Sequence, residues 1–227
     1  AKGLEAAQAQ AMALCEQVEA IAALSGAELA DGVKKIPELR EAFDAVGELP
    51  RASARKTHDR FERAVKKCDA AIAQQRAADA AKSWDHLLEA GDLVRRYRLA
   101  AIAGADDQES LKAAAEAYIA GVARWPKNGQ QTVRAQLTRE DGTDLAANEA
   151  ALRMLCIRAE VLTDTPTPPE DQPLRREYQV KRLVEAMGQG AAGADSLDTL
   201  TLEWVSTGPV PDAVYTALRQ RFQRCRK

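Results

Sequence analysis

Aromatic side chains are scarce in this 227-residue chain, at 4%, and histidine occurs only twice. The remaining apolar residues still bring the hydrophobic share to 46%, enough for a core. Much of that share is alanine, which favours helix and lets helices pack closely without large side chains. The four cysteines, Cys15, Cys68, Cys156 and Cys225, lie far apart and form no C-x-x-C pair. Each falls within a helical apolar pattern, where cysteine behaves as a small hydrophobe, which argues against a disulfide scaffold and for a reducing cytoplasm. Neither sign of charge dominates: 32 basic residues against 34 acidic ones leave a formal charge of −2. Bulk attraction to nucleic acid or to an anionic membrane is thereby excluded, and any electrostatic function must be local. No apolar run is long enough to cross a bilayer, and no strand-like alternation of useful length occurs. The chain starts Ala1-Lys2-Gly3, without methionine or a signal-peptide pattern, and reads as a piece of a longer protein.

What the sequence does contain is helical periodicity. Leu4, Ala7, Ala11, Leu14, Val18 and Ile21 recur at spacings of three and four, predicting a helix over 4–24. The seam fits the end of an upstream coiled coil, although an ordinary amphipathic helix is the more economical reading. After Gly26 and Gly32 a second helix is expected over 37–46, with Leu39, Phe43 and Val46 on one face. Gly47 suits the left-handed position that ends it, and Pro50 suits the first turn of the next helix. That third helix meets no Gly or Pro before Gly91 and is expected to be long, with Phe61, Val65, Cys68 and Ile72 as its apolar stripe. Asp106 and Glu109 have capping-box spacing, Trp125-Pro126 reads as a stop, and Asp141-Gly142-Thr143-Asp144 reads as a turn opening a further helix. Thr165-Pro166-Thr167-Pro168-Pro169 is an extended linker or elbow, followed by helices over 174–187 and about 196–205.

The most specific signal is an internal repeat. A shift of 161 residues places Leu39 on Leu200, Phe43 on Trp204, Gly47 on Gly208 and Pro50 on Pro211. It also places Arg60, Phe61 and Arg63 on Arg221, Phe222 and Arg224. A helix that ends on glycine, a short turn and a proline-started return helix make an antiparallel hairpin, its Phe packing back near the aromatic of the first helix.

Leu200, Trp204, Gly208-Pro209-Val210-Pro211 and Arg221-Phe222 resemble the repeats of a bacterial family known as domain of unknown function 349 (DUF349). The first copy departs from that pattern with Phe43 in place of Trp and Glu48-Leu49 in place of Pro-Val. Cys156-Ile157-Arg158-Ala159-Glu160, the Pro-rich elbow and Tyr178-Gln179-Val180 are similar to the C-terminal part of long proteobacterial members. The resemblance implies an all-helical, multi-repeat cytoplasmic protein and carries no established activity.

Little in the chain points to catalysis. Gly188-Gln189-Gly190-Ala191-Ala192-Gly193 spells G-x-G-x-x-G, but a dinucleotide site needs a strand before it and a helix after it, so this is an interhelical linker. His58 and His86 lack partners at metal-ligand spacing. Cys68 lies nearly three helical turns from His58, about 15 Å, too far for a dyad. The acidic clusters sit at helix starts, where the macrodipole accounts for them.

One basic constellation remains. Lys56, Arg60, Arg63 and Lys67 share a helix face rotated by about 140° from the apolar stripe, and Arg221 and Arg224 keep its two central positions in the second copy. A solvated face explains such a stripe, and a phosphate-contacting surface is the functional alternative. A base-reading helix-turn-helix fits poorly, because Ser53 and Arg55 have no counterpart in Ala213-Val214-Tyr215-Thr216.

The resulting expectation is an all-α, elongated array of antiparallel helical hairpins with one long helix after Pro50. Its parts are an N-terminal helix (1–32), a first hairpin and long helix (33–104), a helical region (105–164), the elbow (165–173) and C-terminal helices with the second hairpin (174–227). The expected role is a non-enzymatic interaction or scaffold module with a protein partner, no cofactor, no metal and no membrane. The alternative is a nucleic-acid- or ribosome-associated protein using the basic faces. The sequence leaves the oligomeric state open.

Overall fold

A computed structural model describes residues 2–188 and 195–227 of the chain. Among them the fold is all-α, with ten helices and no strand. The helices are α1 (Lys2–Ala22), α2 (Gly26–Val33), α3 (Ile36–Asp44), α4 (Ala54–Ala103), α5 (Gln108–Gly121), α6 (Gly129–Thr138), α7 (Leu145–Leu162), α8 (Gln172–Gly188), α9 (Leu197–Ser206) and α10 (Asp212–Arg224), with a single 3₁₀ turn at Pro169–Asp171. The chain divides into two compact units, residues 1–81 and 82–227, and α4 contributes residues to both. Helix α1 and the first hairpin, expected as separate parts, share one core: Leu14, Val18 and Ile21 pack with Phe43, Phe61 and Val65. The α1 seam is therefore largely satisfied inside its own unit, although Leu4 stays 39% exposed. Helix α2, absent from the sequence reading, turns Leu29 into the same core.

The expected long helix forms, reaching Ala103 and running through Gly91. A Cβ there would lie 3.2 Å from Val205 of α9, so this glycine serves close helix packing. In the second unit, Leu87, Leu88 and Val94 of α4 meet Ile119, Val133, Leu152, Leu200, Trp204 and Phe222. Asp144 caps α7 through the Ala146 and Ala147 amides, as its spacing predicts. The expected capping box at Asp106 does not form: Asp107 is the N-cap of α5 and its side chain accepts no amide hydrogen bond. The Pro-rich segment is packed rather than free, with Thr167 buried and its hydroxyl donating to Glu160 at 2.6 Å. Beyond Gly188, the G-x-G-x-x-G string lies outside the described residues.

Both repeat copies build the predicted hairpin. Phe43 stacks on Phe61 with ring centroids 4.1 Å apart, and Trp204 stacks on Phe222 at 4.6 Å. Gly47 takes the left-handed conformation expected of it, but the prolines and Gly208 act differently from the expectation. Pro50 and Pro211 stand before their helices, and their carbonyls accept the amides of Ala54 and Tyr215, each at 2.9 Å. Gly47 has φ +86°, whereas Gly208 is selected by space: its missing Cβ would lie 2.5 Å from Asn148 Nδ2 and from the Gly142 carbonyl.

Candidate functional site

Arg60 and Arg221, one of the two arginine pairs in the expected basic faces, are both committed within the fold. Arg60 donates Nε and Nη2 to the carboxylate of Glu19 on α1, at 2.8 and 2.7 Å. That bidentate bond holds the Glu19 carboxyl below the usual carboxylate range. Arg221 is buried and forms the same fork with Glu160 of α7, while its Nη1 reaches Asp171. Arg153 joins from the far side of Asp171 at 3.4 Å. The predicted cationic stripe therefore loses one of its two central members in each copy. Lys56, Arg63, Lys67 and Arg224 stay exposed, and Arg63 spends its Nε on the Asp59 carbonyl. Of the histidines, exposed His86 meets the Tyr118 hydroxyl at 3.0 Å, and exposed His58 tilts against Phe43.

These pairings extend the repeat to a third helix that the sequence reading missed. Leu14-Cys15-x-x-x-Glu19 on α1 recurs as Leu155-Cys156-x-x-x-Glu160 on α7. Cys15 Sγ lies 3.7 Å from the Thr57 carbonyl, and Cys156 Sγ lies 3.4 Å from that of Leu218, positions that the 161-residue shift equates. Each copy is thus a three-helix unit: a Leu-Cys-x-x-x-Glu helix and a hairpin whose arginine clamps that glutamate. The shift for the added helix is 141 residues, and a search at one fixed spacing passes over it. Burial pushes the Cys156 thiol up to about 12, so it packs as an uncharged side chain.

The difference between the two shifts marks an insertion. Between clamp glutamate and hairpin, the first copy places the short α2, and the second places the 3₁₀ turn and the 17-residue α8. Although α8 contributes no buried residue, it has a strong apolar stripe. Val180, Leu183, Val184 and Met187 share one face and are 59, 64, 63 and 86% exposed. The half-buried Arg175, Tyr178 and Arg182 occupy the opposite side, roughly 160° around the helix at 100° per residue. Helix α8 is therefore inverted: its polar side meets the rest of the unit and its apolar side meets solvent.

Hydrogen bonds to an ion-paired carboxylate and to the elbow hold that orientation. Arg158 of α7 grips Asp195 through Nε and Nη2 at 3.1 and 2.6 Å, and also pairs with Glu203 of α9. The Tyr178 hydroxyl donates to Asp195 at 2.7 Å. The hydrogen bond from Arg158 keeps the Asp195 carboxyl below its ordinary range despite partial burial. Arg175 donates to the Thr165 carbonyl and the Thr167 hydroxyl, tying α8 to the elbow. Two grooves flank this anchor between α7 and α8. One, of about 500 Å³, includes Met154, Leu174 and Lys181; the other, of about 400 Å³, is lined by Val161 and Leu162 opposite Leu183 and Ala186.

The charged groups of the anchor itself, Arg158, Asp195 and Glu203, are paired with one another, and the outward stripe of α8 beside them is aliphatic, a chemistry suited to docking. Among the described residues, no group of three or more His, Cys, Asp or Glu side chains is placed to hold a metal ion. Nor is any helix among them long and apolar enough to cross a membrane. Searches against known protein families, curated proteins and solved structures find no match to this chain.

Proposed function

We propose that this protein is a non-enzymatic helical interaction module of the cytoplasm, and that it meets a protein partner through the outward face of α8. The inversion of α8 carries this reading. A helix normally turns its apolar stripe to the core, and a contiguous exposed patch on an otherwise packed unit marks an interaction site. The insertion supports it further, since the first copy completes its three-helix unit with only the short α2 in that place. A non-enzymatic role is supported by the engagement of the most buried charges, Arg221 and Glu160, in an interhelical clamp. Four free, buried cysteines suit a reducing compartment. We also propose membership of the DUF349 family, on the Leu200, Trp204, Gly208 to Pro211 and Arg221-Phe222 pattern. The nucleic-acid reading is weaker, because Glu19 and Glu160 neutralise Arg60 and Arg221, one of the two arginine pairs shared by the copies.

The test is photo-crosslinking in cells from a benzophenone amino acid placed at Val184, compared with one at the exposed Lys66. A discrete protein adduct from position 184 and not from 66 is expected. Absence of an adduct at 184, or equal adducts from both sites, refutes the proposal.

A further inference from the structure

Resting on the reading of α8 as a protein-docking face, we infer that its occupant is an amphipathic α-helix with one acidic flank, lying along α8 and lodging a large apolar side chain in the smaller α7–α8 groove. Three features of the surface select this occupant. The stripe is linear, and Val180, Leu183, Val184 and Met187 have the i, i+3, i+4, i+7 spacing that another helix reads through its own stripe. Next to Leu183 the surface is concave, with Val161 and Leu162 of α7 facing Ala186 across about 400 Å³. The flanks of the stripe also differ in charge. Both glutamates of α8, Glu177 and Glu185, lie with Lys181 on the edge away from this groove, as helical geometry requires. The groove edge carries the uncharged Gln179, Arg176 stands at the head of the stripe, and Arg182 lines the groove from the inner side, where it also faces Asp195. Among the described residues the exposed Arg176 is in no ion pair, so an acidic flank on the incoming helix gains a cationic contact there, with Arg182 adding positive charge at the groove.

The same features disfavour other occupants. In an antiparallel twofold pairing of two α8 helices, like edges face each other, so like charge would meet like charge. A flat anionic bilayer leaves the groove unfilled and meets the repelling Glu177 and Glu185 along the far edge.

The experiment uses the full chain and two fluorescein-labelled 21-residue helical peptides with Leu at heptad positions a and d. One carries Glu at its flanking positions and the other Lys, and binding is followed by fluorescence anisotropy. The Glu peptide is expected to bind saturably and at least tenfold more tightly than the Lys peptide. Leu183→Glu should weaken it at least tenfold. Arg176→Glu combined with Arg182→Gln should weaken it at least fivefold while improving the Lys peptide. Circular dichroism of both variants checks that the helices persist. Equal affinity for the two peptides, binding of neither, or an unaltered preference after the charge change overturns the inference. So does concentration-dependent dimerisation abolished by Leu183→Glu, or binding confined to phosphatidylglycerol-containing vesicles. A protein adduct at position 184 alongside failed peptide binding removes this inference and leaves the docking reading standing; loss of both removes both.

Discussion

Replacing Glu160 with Gln tests whether the buried clamp holds the second unit together. The substitution keeps the side-chain shape and an acceptor oxygen for Thr167 but removes the charge facing Arg221. Glu160 is 0% exposed and Arg221 7%, so water cannot replace the lost partner. Breaking a buried pair from one side costs about 3–5 kcal/mol, and the remaining contact to Asp171 places the expected loss at about 3 kcal/mol. In a unit of this size each kcal/mol lowers Tm by about 2–4 °C, giving a fall of about 6–12 °C. Trp84, Trp125 and Trp204 all lie within residues 82–227, so tryptophan fluorescence follows this unit alone. Glu19→Gln, in the corresponding clamp of the first unit, is the control. Its pair is 30–40% exposed, so its smaller effect on the far-UV melt should fade as salt is added. A fall below about 2 °C for Glu160→Gln, or one that salt erases, refutes the reasoning.

The two turn glycines should separate by mechanism. Gly47→Asn should fold almost normally, since Asn tolerates φ +86° and nothing lies within 4 Å of the added Cβ. Gly208→Asn should lose about 1–3 kcal/mol in a urea melt, because it overpacks Asn148 and the Gly142 carbonyl; equal losses would contradict this. Asp144→Ala should cost about 1 kcal/mol by urea titration, and Asp107→Ala much less, because only Asp144 accepts amides at its helix start. The Asp195 carboxyl is depressed in the folded state, so its contribution is complete above the unfolded value of about 3.9 and disappears as pH falls through the folded one. The protection of α8 amides, measured relative to their intrinsic exchange rates, should therefore fall below about pH 3.9. Asp195→Asn should already show the faster exchange at neutral pH, and unchanged protection in acid would exclude the link.

Much of the architecture was legible in the sequence because its signals are local. The spacing of Phe61, Val65, Cys68 and Ile72 predicts a buried helix face whatever that face meets. The paired Gly and Pro positions mark the hairpins for the same reason. Even so, one motif concealed two causes: Gly47 answers to its own backbone angle, Gly208 to atoms of Asn148 and Gly142 distant in the chain. Capping was ambiguous in the same way, since Asp106 and Asp144 both have plausible spacing and only Asp144 forms the bonds.

By itself, the sequence determined the helical class, the long α4 and the repeated hairpin, each encoded within a few turns of chain. Tertiary structure alone decided what the charges do. Arg60 and Arg221 read as a free cationic face until α1 and α7 bring Glu19 and Glu160 to them, 41 and 61 residues away in sequence. It also decided the orientation of α8. Periodicity reveals an apolar stripe but cannot show which way it faces, and Arg158, Asp195 and Tyr178 turn that stripe toward solvent.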